Sequence, residues 1–300
     1  TDSFQGFFGE QKNLIVGGRY RPLSIVTFAI EYQLFGLSTK VSHFVNVLLY
    51  GLTGLLLFRV LVMLFPIKKK KHWWRSLAFV SSLLFILHPL HTEVVANIKG
   101  RDEILCLLLS LGALYFSLKY VQKEKTTDLF FSGVVFFLAL LAKENALPFL
   151  AVIPFAIYYF TKVELKKNLT ALGPLVFASA AYLIVRYKVM GYFLSSGKEI
   201  TDLMNNPFAG MDLGQRLATA FYTLGAYLKL LVFPRRLTDD YYPYQVPISE
   251  WSDLPVIISL LSYLGMAAFT IWTIKRKHIV GFCILFYGAT LSIVSNIPFT

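Results

Sequence analysis

The chain has 300 residues, of which 56% are apolar and 16% aromatic, whereas only 15% are charged. Ordinary soluble domains carry roughly 25% charged residues, so this composition excludes a soluble enzyme, a disordered chain and a disulfide scaffold, and it predicts an all-α polytopic helical membrane protein. The formal net charge of +12 fits basic loops that face anionic lipid, and it requires no nucleic-acid partner.

The first 42 residues are mostly polar, and within them only Leu23–Phe35 is apolar. This run is shorter than the ~20 residues that cross the hydrocarbon core, so we expect a helix lying in the membrane interface. Its Glu31 either points at a cavity or lines the wet face of that helix. Because residue 1 is Thr and no signal peptide is visible, we expect an internal piece of a longer protein.

Nine apolar runs follow in residues 43–300, and we expect helices because backbone polar groups in lipid must be satisfied internally. The runs are His43–Phe65, Trp73–Leu90, Glu103–Tyr120, Leu129–Ala142, Ala146–Phe160, Ala171–Tyr187, Gln215–Phe233, Leu254–Ile274 and Ile279–Ser295. The sequence therefore predicts a single membrane domain over residues 1–300. It comprises an extracytoplasmic loop with the interfacial helix at 1–42 and a bundle of about nine spans at 43–300.

The lysines indicate the orientation of the bundle, since cytoplasmic loops are enriched in Lys and Arg. Lys68–Lys71 should be cytoplasmic, and alternation then places residues 123–125 and 162–167 on the same side. Strict alternation would put Lys275–Lys277 outside, against the rule. Either this basic loop is an exception, or Gln215–Phe233 does not fully cross, which leaves Thr238–Asp253 on the extracytoplasmic side. We favour the second interpretation.

The loop His88–Glu103 concentrates ionisable groups at a membrane boundary, where they are costly unless paired or used. Arg101 is suited to grip a phosphate with two hydrogen bonds, and the start of the following helix also favours an anion. His88, His91 and Asn97 are candidate hydrogen-bonding groups. The alternative is a hydrated loop in which Asp102 caps a helix and the charges form ordinary salt bridges. Pro89 disturbs the face that His88 and His91 would share, so we expect no metal site.

Three other places carry candidate substrate-binding residues, each with a plainer alternative. Arg19 and Arg21 flank an aromatic residue and fit a lipid phosphate, or they only anchor the chain at the interface. Lys143 and Glu144 form a charged turn at membrane depth, or a solvated turn. Asp240 lies among tyrosines in a composition that suits a sugar, or an aromatic belt.

Four motifs between Arg19 and Glu144 occur in a distinctive order. They are Arg19-Tyr20-Arg21-Pro22-Leu23, His43-Phe44-Val45-Asn46-Val47-Leu48-Leu49, the loop from His88-Pro89 to Gly100-Arg101, and Ala142-Lys143-Glu144. Together they resemble the membrane domain of the transmembrane and tetratricopeptide-repeat family. That family is similar to protein O-mannosyltransferases, which belong to the GT-C type of glycosyltransferases.

The resemblance implies a GT-C-like bundle that takes a sugar, often mannose, from a polyprenyl-phosphate carrier on the extracytoplasmic face. The sugar would pass to a protein hydroxyl with inversion, and the implied partners are this donor, the acceptor protein and membrane lipid. No separate cofactor is implied. The resemblance places Arg101 at the lipid phosphate, and it puts an acidic pair and a tetratricopeptide array outside this piece of the chain.

Such a transfer requires two kinds of side chain. Fixed cations stabilise the departing phosphate, and the candidates are Arg101, Lys143 and either Arg19 or Arg21. A carboxylate takes the proton of the acceptor hydroxyl. Glu93 and Asp102 are the candidates within this sequence, although the acidic pair that the resemblance implies is favoured as the base.

Two other functions stay open at the level of sequence. A lipid or solute transporter or flippase would place charges near mid-membrane, whereas the charges here gather at one face. A non-catalytic anchor for a repeat array would need no polar loop as dense as 88–103.

Overall fold

A computed structural model describes residues 20–67, 72–192, 208, 210–235, 237–238, 246–295 and 297. The regular secondary structure of these residues is helical, without a strand, which confirms the all-α fold. Their helices are α1 (Pro22–Phe35), α2 (Thr39–Leu64), α3 (Leu77–Leu87), α4 (Thr92–Ala96), α5 (Arg101–Lys123), α6 (Thr126–Ala142), α7 (Phe149–Phe160), α8 (Leu165–Met190), α9 (Leu213–Val232), α10 (Leu254–Thr273) and α11 (Ile279–Ser292). Single turns of 3-10 helix lie at Trp73–Arg75, Pro89–His91, Ile98–Gly100, Glu144–Ala146 and Ile274–Arg276.

Fewer helices are long enough to cross a bilayer than the nine expected spans. In the described part of the chain, four helical segments are long and apolar enough, namely those containing α2, α5, α8 and α10. Helix α3 and the segment Pro89–Ala96 would form a fifth span if counted as one, although they are bent by 50°. The multi-pass helical architecture is confirmed, and the number of spans stays a prediction.

Helix α5 forms the centre of the bundle, with α2, α6, α7 and α8 packed around it. Small residues allow α5 and α6 to approach closely: Ser117 and Ser132 share a 2.8 Å hydrogen bond, and Ser132 also donates to the carbonyl of Ala113. Helices in lipid associate through close packing over small and hydroxyl residues, because the hydrophobic effect does not drive apolar surfaces together in an apolar solvent.

The two ends of this bundle differ in charge. At one end the rings of Phe65 and Phe160 lie 5.0 Å apart, Lys167 pairs with Glu124 at 2.5 Å, and Lys277 donates to the carbonyl of Thr161 at 3.2 Å. We call it the basic end. The opposite end carries residues 36–42, 88–103 and 143–146, and we call it the site end. The contact of Lys277 shows that Lys275–Lys277 joins the other basic loops, in contrast to strict alternation of spans.

Helix α9 accounts for this departure from alternation. Near its C-terminus the carbonyl of Leu231 accepts a 3.1 Å hydrogen bond from His88 at the site end. Nearer its N-terminus Thr219 accepts from the backbone of Ser249, and Phe221 packs against Trp251. These two partners precede α10, whose other end lies at the basic end. Both parts of α9 thus have partners toward the site end, and a helix that does not fully cross stays a prediction.

Candidate functional site

Three consecutive charged residues, Arg101, Asp102 and Glu103, begin helix α5. Successive side chains of an α-helix point about 100° apart, so these three leave the helix in different directions, and each meets an opposite charge from another element. The pairs are Arg101–Glu31, Asp102–Arg21 and Glu103–Lys143, Glu144 adds a second contact to Arg21, and we call these seven residues the charge cluster.

The inner half of the cluster surrounds Arg101, which has 0% exposed surface. Its Nη2 donates to Glu31 Oε2 at 2.6 Å and to the carbonyl of Ser42 at 3.2 Å, and its Nε donates to Asn46 Oδ1 at 3.0 Å. The guanidinium carbon lies 3.9 Å from the centroid of the Phe28 ring. A buried charge is tolerated when it is paired and hydrogen-bonded in this way.

The expected phosphate contact of Arg101 therefore meets a steric obstacle. Glu31, Asn46, Ser42 and Phe28 enclose the guanidinium, which leaves it no surface for a ligand. Glu31 itself neither lines a wet face nor points into a cavity: it is buried, and its second oxygen accepts a hydrogen bond from Ser42 Oγ. The inner half is thus a closed polar core between α1, α2 and α5.

The outer half of the cluster is partly open. Arg21 pairs through Nη1 with Asp102, its Nη2 lies 3.4 Å from Glu144 Oε1, and its side chain is 18% exposed. Lys143 pairs with Glu103, and these side chains are 12% and 37% exposed. Two cations with accessible surface therefore flank the N-terminus of α5, which itself favours a bound anion.

Local backbone structure explains where these two cations lie. Arg21 precedes Pro22, which occupies the first turn of α1 and has the φ angle that a helix start requires. Lys143 is the extended residue that ends α6 and leads into the turn Glu144–Ala146. Ser24 Oγ lies 3.5 Å from the carbonyl of Ala142, so α1 rests on the end of α6 and brings both cations to one place.

Arg21 is held fully ionised by its surroundings. Burial alone would lower its pKa, but the charges of Glu144 and Asp102 and the hydrogen bonds to both carboxylates outweigh that effect and raise the pKa. Asp102 is bound in turn, because one oxygen pairs with Arg21 and the other accepts from the backbone of Glu103. A role for Asp102 as general base would require the pair with Arg21 to open.

Polar residues of the segment between α3 and α5 contact the neighbouring helices. His88 contacts Leu231 in α9, and the His91 ring packs between Tyr50 and Phe85 at 5.8 and 4.3 Å. Asn97 reaches the inner half of the cluster through its carbonyl, which accepts a 3.1 Å hydrogen bond from Asn46. Within the described residues, no group of three or more His, Cys, Asp or Glu side chains has the arrangement of a metal site.

The structure thus separates the candidate residues into groups. Arg21, Asp102, Lys143 and Glu144 come together in the outer half of the cluster. Arg101 lies beside them but enclosed, and Asn97 supports it through Asn46. Exposed Glu93 lies within 3.4 Å of Asn97 Nδ2, and His88 and His91 pack toward α9 and α3. Arg19 and Asp240 lie outside the described residues, and the roles of all these side chains remain predictions.

The sequence left open whether Glu31 faces a cavity, and it indicated no partner for Glu103 of the charge cluster or for Ser42 and Asn46 beside it. Glu31 carried a usable signal, since an ionisable residue in an apolar helix marks a partner or a site. The sequence placed Asn46 only within the motif His43–Leu49, and the carbonyl of Ser42 is a backbone group that no residue type marks. The partner of Glu103 depends on the turn after α6, which lies 40 residues away along the chain.

Comparison with known proteins identifies a family that this chain matches. Residues 22–190 match the family model described as dolichyl-phosphate-mannose-protein mannosyltransferase. The segment contains every described residue of the charge cluster except Arg21, which directly precedes it. The match confirms the resemblance to protein O-mannosyltransferases.

Curated relatives agree with the family match. Protein O-mannosyl-transferase TMTC2 of Homo sapiens is 28% identical over 276 residues, which are 82% of this chain and 32% of that protein. Protein O-mannosyl-transferase TMTC1 of Homo sapiens is 40% identical over 99 residues, 33% of this chain and 10% of that protein. Protein O-mannosyl-transferase F38B6.6 of Caenorhabditis elegans is 37% identical over 102 residues, 33% and 14% of the two chains.

The chain spans about a third or less of the length of these relatives. No solved structure matches it. Because the family model covers more than half of the residues, the chain belongs to the dolichyl-phosphate-mannose-protein mannosyltransferase family.

Proposed function

We propose that this chain is the membrane domain of a glycosyltransferase that moves mannose from a polyprenyl-phosphate carrier to a protein hydroxyl. The observation that carries the proposal is the meeting of Arg21 and Lys143 at the start of α5. Both cations keep exposed surface at the end of an apolar bundle, and a lipid phosphate sits at this depth of a membrane. The similarity to protein O-mannosyl-transferases supports mannose as the sugar and a protein as the acceptor.

The reaction needs these cations at one step in particular. The bond between the anomeric carbon of the sugar and the phosphate oxygen breaks, and the polyprenyl phosphate leaves with the electron pair. The anomeric carbon forms a new bond to the acceptor oxygen, whose proton passes to a carboxylate. Fixed charges aimed at the departing phosphate stabilise the transition state more than the ground state. Arg21 and Lys143 would supply them by sharing with the phosphate the donors that face Asp102, Glu144 and Glu103.

Glu144 is suited to bind the sugar. Its Oε1 faces Arg21, whereas its Oε2 is buried and has no hydrogen-bond partner. A buried carboxylate oxygen without a partner is costly, and a sugar hydroxyl would donate to it. Glu144 would then bind the mannosyl group next to the phosphate that Arg21 binds.

The charge difference between the two ends supports an extracytoplasmic site. Lysines and arginines accumulate at the basic end, and such loops are normally cytoplasmic. The site end would then face the opposite compartment, where the acceptor protein is modified.

Substituting the two open cations in the full-length protein tests this function. Purified Arg21→Met and Lys143→Met proteins should each transfer labelled mannose from polyprenyl-phosphate mannose roughly 100-fold more slowly, because each loses a charge directed at the leaving group. Nucleotide-linked mannose should not replace the lipid-linked donor.

Lys167→Met is the matched control, because it removes a lysine from an ion pair at the basic end. It should keep the parent rate. If both site variants transferred mannose as fast as Lys167→Met, the charge cluster would not be the donor site.

Orientation is tested by cysteine labelling in intact cells. Lys99 and Lys125 are exposed and lie at the site end and the basic end. A membrane-impermeant thiol reagent should label Lys99→Cys from outside, and Lys125→Cys only after permeabilisation. The reverse pattern would place the charge cluster on the cytoplasmic face.

A further inference from the structure

Helix α1 is attached to the bundle through two adjacent residues of α5. Asp102 holds Arg21 at the start of α1, and Arg101 holds Glu31 in the last part of α1. At 1.5 Å per residue these attachment points lie roughly 15 Å apart along α1. Neighbouring residues of opposite charge therefore fix both ends of the same helix.

Besides these pairs, α1 is held where Leu23 packs against the hydrophobic core and Ser24 lies on the end of α6. Its buried residues are Ser24 and Glu31, whereas Ile25, Val26 and Ile30 are 46%, 49% and 55% exposed. In a membrane, burying such side chains against protein gains little over leaving them in lipid. The polar contacts on the inner face must therefore supply most of the free energy that docks α1.

We propose that Arg101 is a positioning residue, whose buried pair with Glu31 fixes α1 on the bundle and so holds Arg21 beside Asp102 and Glu144. This inference rests on the proposed function, and it names how the phosphate-binding cation is kept in place. Arg101 acts through α1 and not by touching the donor.

The surroundings of Arg101 support this role over direct phosphate contact. Its Nη1 has no hydrogen-bond partner, but the whole side chain has 0% exposed surface, whereas that of Glu144 is 25% exposed, and the guanidinium faces the Phe28 ring. Phe28 belongs to α1, so the cation–π contact also ties α1 to α5. All four residues that enclose Arg101 come from α1 and α2, and Arg101 has 0% exposed surface.

A set of four variants separates the two roles. Arg101→Met and Glu31→Met each leave one buried charge without its partner, so each should release α1. The double variant Glu31→Met/Arg101→Met removes both charges, and apolar replacement of a complete buried pair is often tolerated. Glu31→Gln keeps a hydrogen-bond acceptor for Arg101 and is the conservative variant.

Docking of α1 is measured apart from activity by labelling Ser24→Cys in a full-length protein without other reactive cysteines. Ser24 is buried against α6, so a maleimide should react slowly in the parent. The two single variants should raise the labelling rate on the order of tenfold or more. The double variant and Glu31→Gln should restore protection.

Mannosyl transfer should follow docking. Both single variants should lose transfer to a similar extent, on the order of tenfold or more, and raise the KM for the lipid-linked donor. The double variant should recover to within about threefold of the parent, because a positioning pair can be replaced where a phosphate ligand cannot.

Asp128→Asn is the matched control, since Asp128 is buried and pairs with Lys119 at 3.1 Å toward the basic end. It should leave Ser24→Cys protected. A double variant that is docked but as inactive as Arg101→Met would overturn the proposal, as would single variants with unchanged labelling. If the double variant does not fold, full activity of Glu31→Met would also overturn it.

Absence of mannosyl transfer in the parent protein would instead count against the proposed function. The labelling series would still decide whether Arg101 and Glu31 hold α1.

Discussion

Residues 20–190 and residues 213–292 are held together by different forces. The ion pairs between described residues all lie between Arg21 and Lys167. The second region instead uses hydroxyl and small-residue contacts, such as the 2.9 Å hydrogen bond between Tyr263 and Tyr287 and the approach of Gly225 to Ser259. The first region thus builds a fixed polar site, and the second packs as an apolar layer.

Burial follows the same division. Phe136, Leu140 and Ile153 in the first region have 0% exposed surface, whereas Ile271 and Leu264 in α10 are 74% and 56% exposed. Where the layers meet, α7, α10 and α11 leave an apolar cavity of about 380 Å³ that Ala151, Met266 and Gly288 help to line. Dense packing and buried charge coincide with the segment that matches the family, which ends at residue 190.

The largest effect that this comparison predicts is at Gly100, just before the charge cluster. A Cβ at this position would lie 2.1 Å from the carbonyl oxygen of Val94. Relieving this clash would require the backbone to move, whereas a clash with a flexible side chain could be relieved by a change of rotamer. Gly100→Ala should lower the free energy of unfolding by about 1–3 kcal/mol. Because α5 starts one residue later, mannosyl transfer should fall on the order of tenfold or more.

Thermal unfolding in detergent and the transfer assay check both parts of this prediction. Gly173→Ala is the matched control: its Cβ meets nothing within 4 Å, and Ala is the better helix former. Equal stability and activity for the two variants would show that the packing around the cluster is more adaptable than the structure indicates.

A smaller effect is expected in the second region. Tyr263 donates a 3.1 Å hydrogen bond to the carbonyl of Leu224 and so links α10 to α9. Tyr263→Phe removes this bond and the bond to Tyr287, so it should lower the free energy of unfolding by about 1 kcal/mol, because such bonds within membranes are worth about 0.6 kcal/mol each. Transfer should stay at the parent rate, since no residue of the charge cluster is touched.

Unfolding in detergent and kinetic measurement test this variant as well. A loss of transfer by Tyr263→Phe as large as that of Gly100→Ala would break the distinction between the two regions. It would mean that the packing of α9 against α10 reaches the donor site.

The sequence predicted most of the secondary structure correctly, because hydropathy is a local property. The helix expected at Leu23–Phe35 forms at Pro22–Phe35, and each apolar run overlaps a helix. The number of spans was harder to predict, because the helices Leu77–Leu87 and Ile279–Ser292 are each too short to cross a bilayer alone. The side of Lys275–Lys277 depended on α9, whose course a hydropathy pattern does not reveal.

For the candidate site, sequence indicated which residues are chemically suited and not which of them meet. Arg21, Lys143 and Glu144 were selected from charge at a membrane boundary, and the fold brings them together. Arg101 was selected for the same reason, and the fold encloses it. The sequence gives the charge of each side chain, whereas its exposure depends on which residues pack around it.

By itself, the sequence determined that this protein is a helical membrane protein, and which motifs it shares with protein O-mannosyltransferases, because apolar content and residue order need no coordinates. Only the tertiary structure decided that three consecutive charges at the start of α5 reach three different partners. Those partners lie up to 81 residues away along the chain, and their distances to α5 follow from how the helices pack.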